Sequence, residues 1–382
     1  TQGVSSAASD VYKRQVQDSG LWISAQAAAE LQVPEVREAF IELLHDCGLR
    51  LTSLNGFPYG QFHEGAVKAE VYRPTWAEPQ RLEYSLQLAH LLAAALPLDC
   101  QQGVISSVPF GYAATWDEAQ QQQAETHLRQ LTAELASLHR SSGRKILVCL
   151  EMEADCVLEN TDQALAFFKH WQATDPHHGY LALCFDVCHQ AVVFEDCYQS
   201  LQRLLDARVP VGKIQLSNAL ICQLPFADRP RRQQVLQALG NFAEATYLHQ
   251  VKARDMAGQL LAWADLPGAL DAAEPAQGQC PELRIHFHVP LFSEQFLLAE
   301  LSGSQQALLR TFDFLAAHPN FQPVLEVETY SWNVLPGALR PDSEQALLQG
   351  IAAELQWVEG QLRQRHLLRT HSSALEAPAH AF

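Results

Sequence analysis

The sequence predicts a single (β/α)8 barrel, and three observations carry that expectation. From residue 20 onward, short β-branched apolar runs alternate with longer segments of 3.6-residue periodicity. Polar, metal-capable residues stand at the ends of those runs one after another, where a barrel builds its active site. No GxGxxG or Walker loop follows any run, so an open nucleotide-binding sheet loses its main support.

The expected elements follow in chain order. Residues 1–19 are set aside: no initiator Met is present, residues 4–15 (VSSAASDVYKRQ) have no apolar periodicity, and residues 10–15 read as a translated adapter. The natural start is therefore expected to be missing. Strands are expected at Leu21 to Ser24, Leu49 to Leu54, Val104 to Val108, Ile146 to Glu151, Leu181 to Asp186, Gly212 to Ser217, Leu283 to Val289 and Val324 to Glu328. Helices are expected at Arg81 to Leu96, Asp117 to Leu138, Asp162 to Trp171, Gln305 to Ala317 and Ser343 to Arg363. Repeated βα units of this kind favour a parallel sheet with helices outside it. The alternation breaks between about 221 and 282, which reads as an insertion near the seventh strand holding a helix at Arg231 to Ala243 and a strand at Tyr247 to Lys252. One domain over 20–366 and a flexible tail over 367–382 complete the expectation.

Composition narrows the function. The chain has 382 residues, 48% of them hydrophobic, and a formal net charge of −17. Clustered Lys and Arg are needed to bind phosphate backbones or anionic lipid, so nucleic-acid and membrane-surface partners are excluded. Nine scattered cysteines without a CxxC pair indicate reduced thiols and a cytoplasmic location. No apolar run is long enough to insert in a membrane.

The chemistry concentrates in paired residues. ILVCLEME places Glu151 and Glu153 two apart on one strand, VLEVETY does the same for Glu326 and Glu328, and IHFHVP for His286 and His288. Side chains two apart on a strand share a face. Several carboxylates converging in a dry interior must be protonated, paired or bound to a cation. Hard oxygen ligands with an amide or imidazole suit Mn²⁺, Mg²⁺ or Co²⁺ better than a Cys-rich zinc site. FDVCHQ adds Asp186 at a strand end and His189 three residues on, placed to reach substrate or metal. SLNGFPYGQFH puts Asn55, Tyr59 and His63 in one shaped loop whose aromatics could wall a ring or polyol. Ser217, His286, His288 and Glu328 join them as candidate substrate contacts. Cys149, Cys184 and Cys188 read as small buried thiols. GxSxG and HExxH are both absent.

These blocks together (TSLNGFPYGQFH, VKAEVYRPTW, CFDVCHQAVVFED, IQLSNAL, IHFHVPLF and VLEVETYSW) resemble those of the EboE metabolite traffic proteins, members of the xylose-isomerase-like barrel superfamily. The resemblance runs from about residue 20 to about 360. It implies one divalent metal on Glu151, Asp186, Gln215 and Glu326, with His286 or His288 able to replace Gln215 because IHFHVP is an additional block. It further implies proton transfer beside a carbonyl, with Glu151 and Glu326 as acid and base and His189 holding the substrate. The implied substrate is a small carbohydrate-like molecule, and other proteins of the same metabolite-traffic cluster are implied partners. Two functions follow: a sugar or sugar-phosphate isomerase or epimerase, or a non-catalytic barrel that carries or scaffolds a metabolite. Endonuclease relatives of the superfamily are disfavoured by the acidic charge.

Overall fold

Seven parallel strands curl into a nearly closed barrel in the computed structural model, which describes residues 17–60, 68–225, 228–273 and 281–368. Strands β1 (Gln17–Trp22), β2 (Leu49–Asn55), β3 (Gln102–Ser107), β4 (Lys145–Glu151), β5 (Leu181–Asp186) and β6 (Val211–Leu216) lie side by side in chain order. The last strand, β13 (Val324–Val327), pairs with β6, aligning Glu326 with Gln215. The expected N-terminal adapter lies outside the described residues, as do residues 369–382 of the expected tail.

Period two decides what each strand presents to either side. On β4, Val148 and Leu150 pack outward into the main helix-facing core, while Leu147 and Cys149 point into the barrel with Glu151 above them. On β5, Leu183 and Phe185 face the helices, and Ala182 and Cys184 lie beneath Asp186. Small thiols thus fill a narrow interior below a charged mouth. All eight cysteines among the described residues are free.

The outer helices begin and end where their sequences direct. Pro79 starts the helix Pro79–Ala95 at a position where a missing N–H costs nothing. Asp117 with Gln120, and Asn160 with Gln163, close capping boxes ahead of Glu118–Ser142 and Thr161–Thr174. Gly143, at φ 70°, ends the first of these in the left-handed conformation. No described helix is long and apolar enough to cross a membrane.

The departure from simple alternation is larger than the sequence suggested. Between β6 and the helix Gln305–Ala317 the chain builds a separate six-stranded antiparallel sheet. Its strands are β7 (Leu220–Gln223), β8 (Val251–Arg254), β9 (Leu260–Trp263), β10 (Glu282–Ile285), β11 (Gln295–Phe296) and β12 (Leu298–Gly303), in the order β11-β12-β7-β10-β8-β9. With the helices Arg229–Gly240 and Leu266–Ala273 it encloses its own apolar cluster, including Leu220, Val251, Leu283 and Phe242.

The run Leu283 to Val289, expected as a barrel strand, belongs instead to this second unit. Leu283 and Ile285 bury in its core, and β10 pairs antiparallel with β7 and β8. Periodicity shows which residues share a face but not which sheet receives them. Beyond Ile285 the ladder stops, yet the alternation continues: Phe287 and Val289 enter the second core, while His286 and His288 turn toward the barrel mouth.

Among the described residues the barrel therefore counts seven strands, with a seam between β1 and β13 at the two ends of the sheet. Gly20 sits at that seam. A Cβ there would come 1.9 Å from Glu326 Oε2, so only glycine admits the carboxylate.

Candidate active site

One pocket of about 160 Å³ lies over the strand ends, lined by Glu151, His288 and Glu328, with Asp186 fully buried beside them. Glu151 ends β4, Asp186 ends β5, Glu328 follows β13, and His288 comes from the segment after β10. Glu151, Asp186 and Glu328 offer oxygens within 4.8 Å of one another, as Asp186, His189 and His288 also offer donor atoms. That spread matches donors arranged around one ion at bonds of roughly 2.0–2.4 Å.

Local bonding leaves the inward atoms of this cluster without partners. Asp186 Oδ1 accepts from the His189 amide at 2.8 Å and from Ser217 Oγ at 2.7 Å. Its other oxygen, Oδ2, is buried and has no hydrogen bond, as is true of Glu151 Oε2. His288 Nδ1 lies 2.9 Å from the Glu328 carbonyl, which can only accept, so Nδ1 carries the proton and Nε2 presents its lone pair. That Nε2 has no hydrogen-bond partner and stands 3.9 Å from Asp186 Oδ2. Gln215, fully buried on β6, leaves both amide atoms unsatisfied.

The electrostatics point the same way. Burial pushes the Glu151 carboxyl well above its ordinary range, and the Asp186 charge adds to the effect. Glu328 is raised for the same reason, with Glu151 and Asp186 contributing. Burial raises Asp186 too, against the lowering influence of His288 and of its hydrogen bonds. Burial holds the His288 imidazole down at about 4. Three crowded carboxylates beside a neutral imidazole resist ionising together unless a cation joins them. The donors present thus fit a divalent metal.

A second cluster adjoins the first. His189 Nδ1 donates to the Met152 carbonyl at 2.8 Å. His286 Nδ1 faces Gln250 Oε1 at 2.7 Å, because Gln250 Nε2 is committed to Tyr72 Oη, Glu153 Oε1 and the Ala154 carbonyl. Both rings therefore turn an Nε2 lone pair toward the other, 3.0 Å apart. Burial holds His189 at about 4 and pushes His286 well below the usual imidazole range, so the contact needs a shared proton or a cation to be favourable. Glu153, whose donor atom groups with these two, accepts from Tyr72 Oη at 2.7 Å, and burial raises its carboxyl to about 8.

The structure brings most of the predicted residues together. Asn55 lines the pocket, donating to Glu328 Oε1 at 3.0 Å. Ser217 holds Asp186 from below and does not line the pocket. Tyr59 turns away to pack edge-on against Tyr84, 5.2 Å between centroids, beneath the Arg81 guanidinium. His63 lies outside the described residues. Glu326, named from the sequence as ligand and acid or base, sits below the mouth, where its Oε1 meets Lys213 Nζ at 2.9 Å. Burial works against the Lys213 charge, but Glu326 and its neighbours outweigh that and hold the ammonium protonated. Of the pair two apart on β13 and its extension, Glu328 is the one that reaches the other carboxylates.

Three contributors had little signal in the sequence. Tyr72 and Gln250 carry no motif of their own, and Lys213 lies one strand position below Gln215. Only its two-residue spacing from Gln215 could have placed it on the interior face.

No family model and no curated protein matches the sequence. Among solved structures, a xylose isomerase domain protein from Planctomyces limnophilus aligns at 11% identity over 93% of this chain and 99% of its own, with a TM-score of 0.49. A D-tagatose 3-epimerase-like protein aligns at 8% identity over 94% and 95%, TM-score 0.46. The 3-keto-D-glucoside 4-epimerase of E. coli aligns at 12% identity over 89% of each chain, TM-score 0.41.

Proposed function

We propose that this chain is a divalent-metal-dependent isomerase or epimerase acting on a small carbohydrate-like ketose or polyol, within the EboE-like metabolite traffic family its sequence blocks resemble. One observation carries the reading: buried ligand atoms of Glu151, Asp186 and His288 converge from separate elements with no hydrogen-bond partner. Glu151, Asp186, Glu328 and His288 would hold the metal, with Gln215 beneath them, and Mn²⁺, Mg²⁺ or Co²⁺ suits this oxygen-rich set. When bound, such an ion polarises a carbonyl and its neighbouring hydroxyl.

The protein's own groups supply the rest. Glu151 and Glu328 approach from β4 and β13, on either side of Asp186, and exchange the proton at the carbon beside the carbonyl. Asn55 orients Glu328, and Ser217 with the His189 amide fixes Asp186. His189 and His286 face the pocket as substrate contacts.

The test combines metal analysis with isotope exchange. Purified protein is expected to take up Mn²⁺ stoichiometrically and to exchange the α-proton of a ketose for deuterium in D₂O, read by NMR. Glu151→Gln is expected to abolish the exchange while the fold persists. Metal uptake with no exchange on any ketose would instead favour a barrel that carries or scaffolds a metabolite.

A further inference from the structure

We propose that the substrate of this pocket is an uncharged ketose or polyol bearing an apolar substituent, not a phosphorylated sugar. The inference rests on the isomerase or epimerase reading above and specifies its substrate class.

The argument starts from cations. Lys68 is the one Lys or Arg among the described residues that line the pocket. An ammonium has three N–H donors. Those of Lys68 go to the Glu244 carbonyl at 3.1 Å, the Tyr247 carbonyl at 2.7 Å and Asp265 Oδ2 at 2.8 Å. Of the nearby lysines, Lys252 pairs with Asp155 and Glu159 at 2.7 and 2.6 Å, and Lys213, outside the pocket lining, pairs with Glu326 at 2.9 Å. The sequences 61–67, 226–227 and 274–280 contain no Lys or Arg. Recognition of a phosphate uses free Lys or Arg donors, and the described residues that line the pocket offer none.

Charge and surface strengthen the exclusion. Glu151, Asp186 and Glu328 crowd the site, three acidic groups against one divalent ion, so a phosphate dianion meets repulsion that the ion does not fully cancel. The remaining wall is apolar and aromatic: Trp22, Phe57, Val71, Leu248 and the rings of Tyr247 and Tyr330. A bare sugar has few apolar atoms to cover such a wall. An apolar substituent covers it and gains affinity in proportion to the area removed from water.

Calorimetric titration of the Mn²⁺-loaded protein with D-fructose, D-fructose 6-phosphate and 6-O-benzyl-D-fructose tests this. The benzyl ether is expected to bind roughly tenfold tighter than D-fructose, and the phosphate at least roughly tenfold weaker. Trp22→Ala and Val71→Ser are each expected to reduce the ratio of benzyl ether to D-fructose affinity, and agreement of the two guards against a folding defect in either. Binding of the 6-phosphate as tightly as D-fructose, or no binding by all three, overturns the inference. Deuterium exchange in the same samples separates the two readings. Exchange with a preference for the phosphate overturns this inference alone; binding of the benzyl ether without exchange overturns the isomerase reading alone.

Discussion

Lys213 Nζ lies 2.9 Å from Glu326 Oε1 inside the barrel, one strand repeat below Glu328. The two glutamates of the LEVET run therefore have different surroundings. Glu326 neutralises a lysine with no solvent exposure, and Glu328 belongs to the carboxylate cluster. Removing one partner of a buried pair leaves an uncompensated charge at a cost of about 3–5 kcal/mol. Glu326→Gln is expected to lower the melting temperature markedly while leaving Mn²⁺ affinity in the surviving folded fraction nearly unchanged. Glu328→Gln is expected to do the reverse. Thermal denaturation beside metal titration checks both, and a loss of metal affinity in Glu326→Gln would reassign the ligand.

Ser217 acts through Asp186. Its hydroxyl donates at 2.7 Å to the Asp186 oxygen that the His189 amide also binds, leaving the second oxygen free. Loss of a partner that orients a ligand commonly costs about 10–100-fold in metal affinity. Ser217→Ala is expected to weaken Mn²⁺ binding within that range, measured by calorimetry. An unchanged affinity would show that the helix-capping amide suffices.

The pH dependence of the metal-free protein has a defined sign. Burial raises Glu153 from its ordinary value to about 8, so the folded state holds a proton that the unfolded chain has released. Stability from this group falls as pH rises from about 4.5 to about 8. His189 and His288, held at about 4, act oppositely between about 4 and 6.5, where the unfolded chain binds protons that the folded one rejects. Above about 6.5 the histidine effect is complete, and the carboxylate effect continues at up to about 1.4 kcal/mol per pH unit. The melting temperature of metal-free protein is therefore expected to decline from pH 6.5 to 8. Added Mn²⁺ is expected to reverse the decline, and a flat profile without metal would count against the burial assigned to Glu153.

Gly20 tests the seam. Its Cβ position coincides with the Glu326 carboxylate, and forced overpacking costs about 1–3 kcal/mol. Gly20→Ala is expected to destabilise by that amount in chemical denaturation, and Glu326→Ala in the same chain is expected to recover less than it loses, because Lys213 is then stranded.

The barrel was legible because period two and period 3.6 alternate cleanly along most of the chain, and seven of the eight expected strands fall in place within a few residues. Glu151, Asp186, His189 and His288 were legible as candidates that the fold would bring together, because strand ends carrying acid or imidazole are rare without a reason. The choice of Glu328 over Glu326 was not: two residues on one strand face differ only in height, which depends on the register between β6 and β13. Likewise Leu283 to Val289 has the pattern of any buried strand, and only the tertiary pairing with β7 and β8 sends it to the second sheet. Gln250 and Tyr72 matter through a hydrogen bond spanning 178 residues, which no local window contains.

His286, His288 and Gln250 reach the barrel mouth from the antiparallel unit, whereas Asp186, Glu151 and Glu153 belong to the barrel. The two folding units consequently share one site, and neither possesses it alone. A ligand at free concentration L that touches both His288 and Asp186 is expected to stabilise the contact between the two sheets by RT ln(1 + L/Kd), through mass action. Occupancy of the pocket is thereby expected to show far away, as protection of the β7 and β10 amides from solvent exchange.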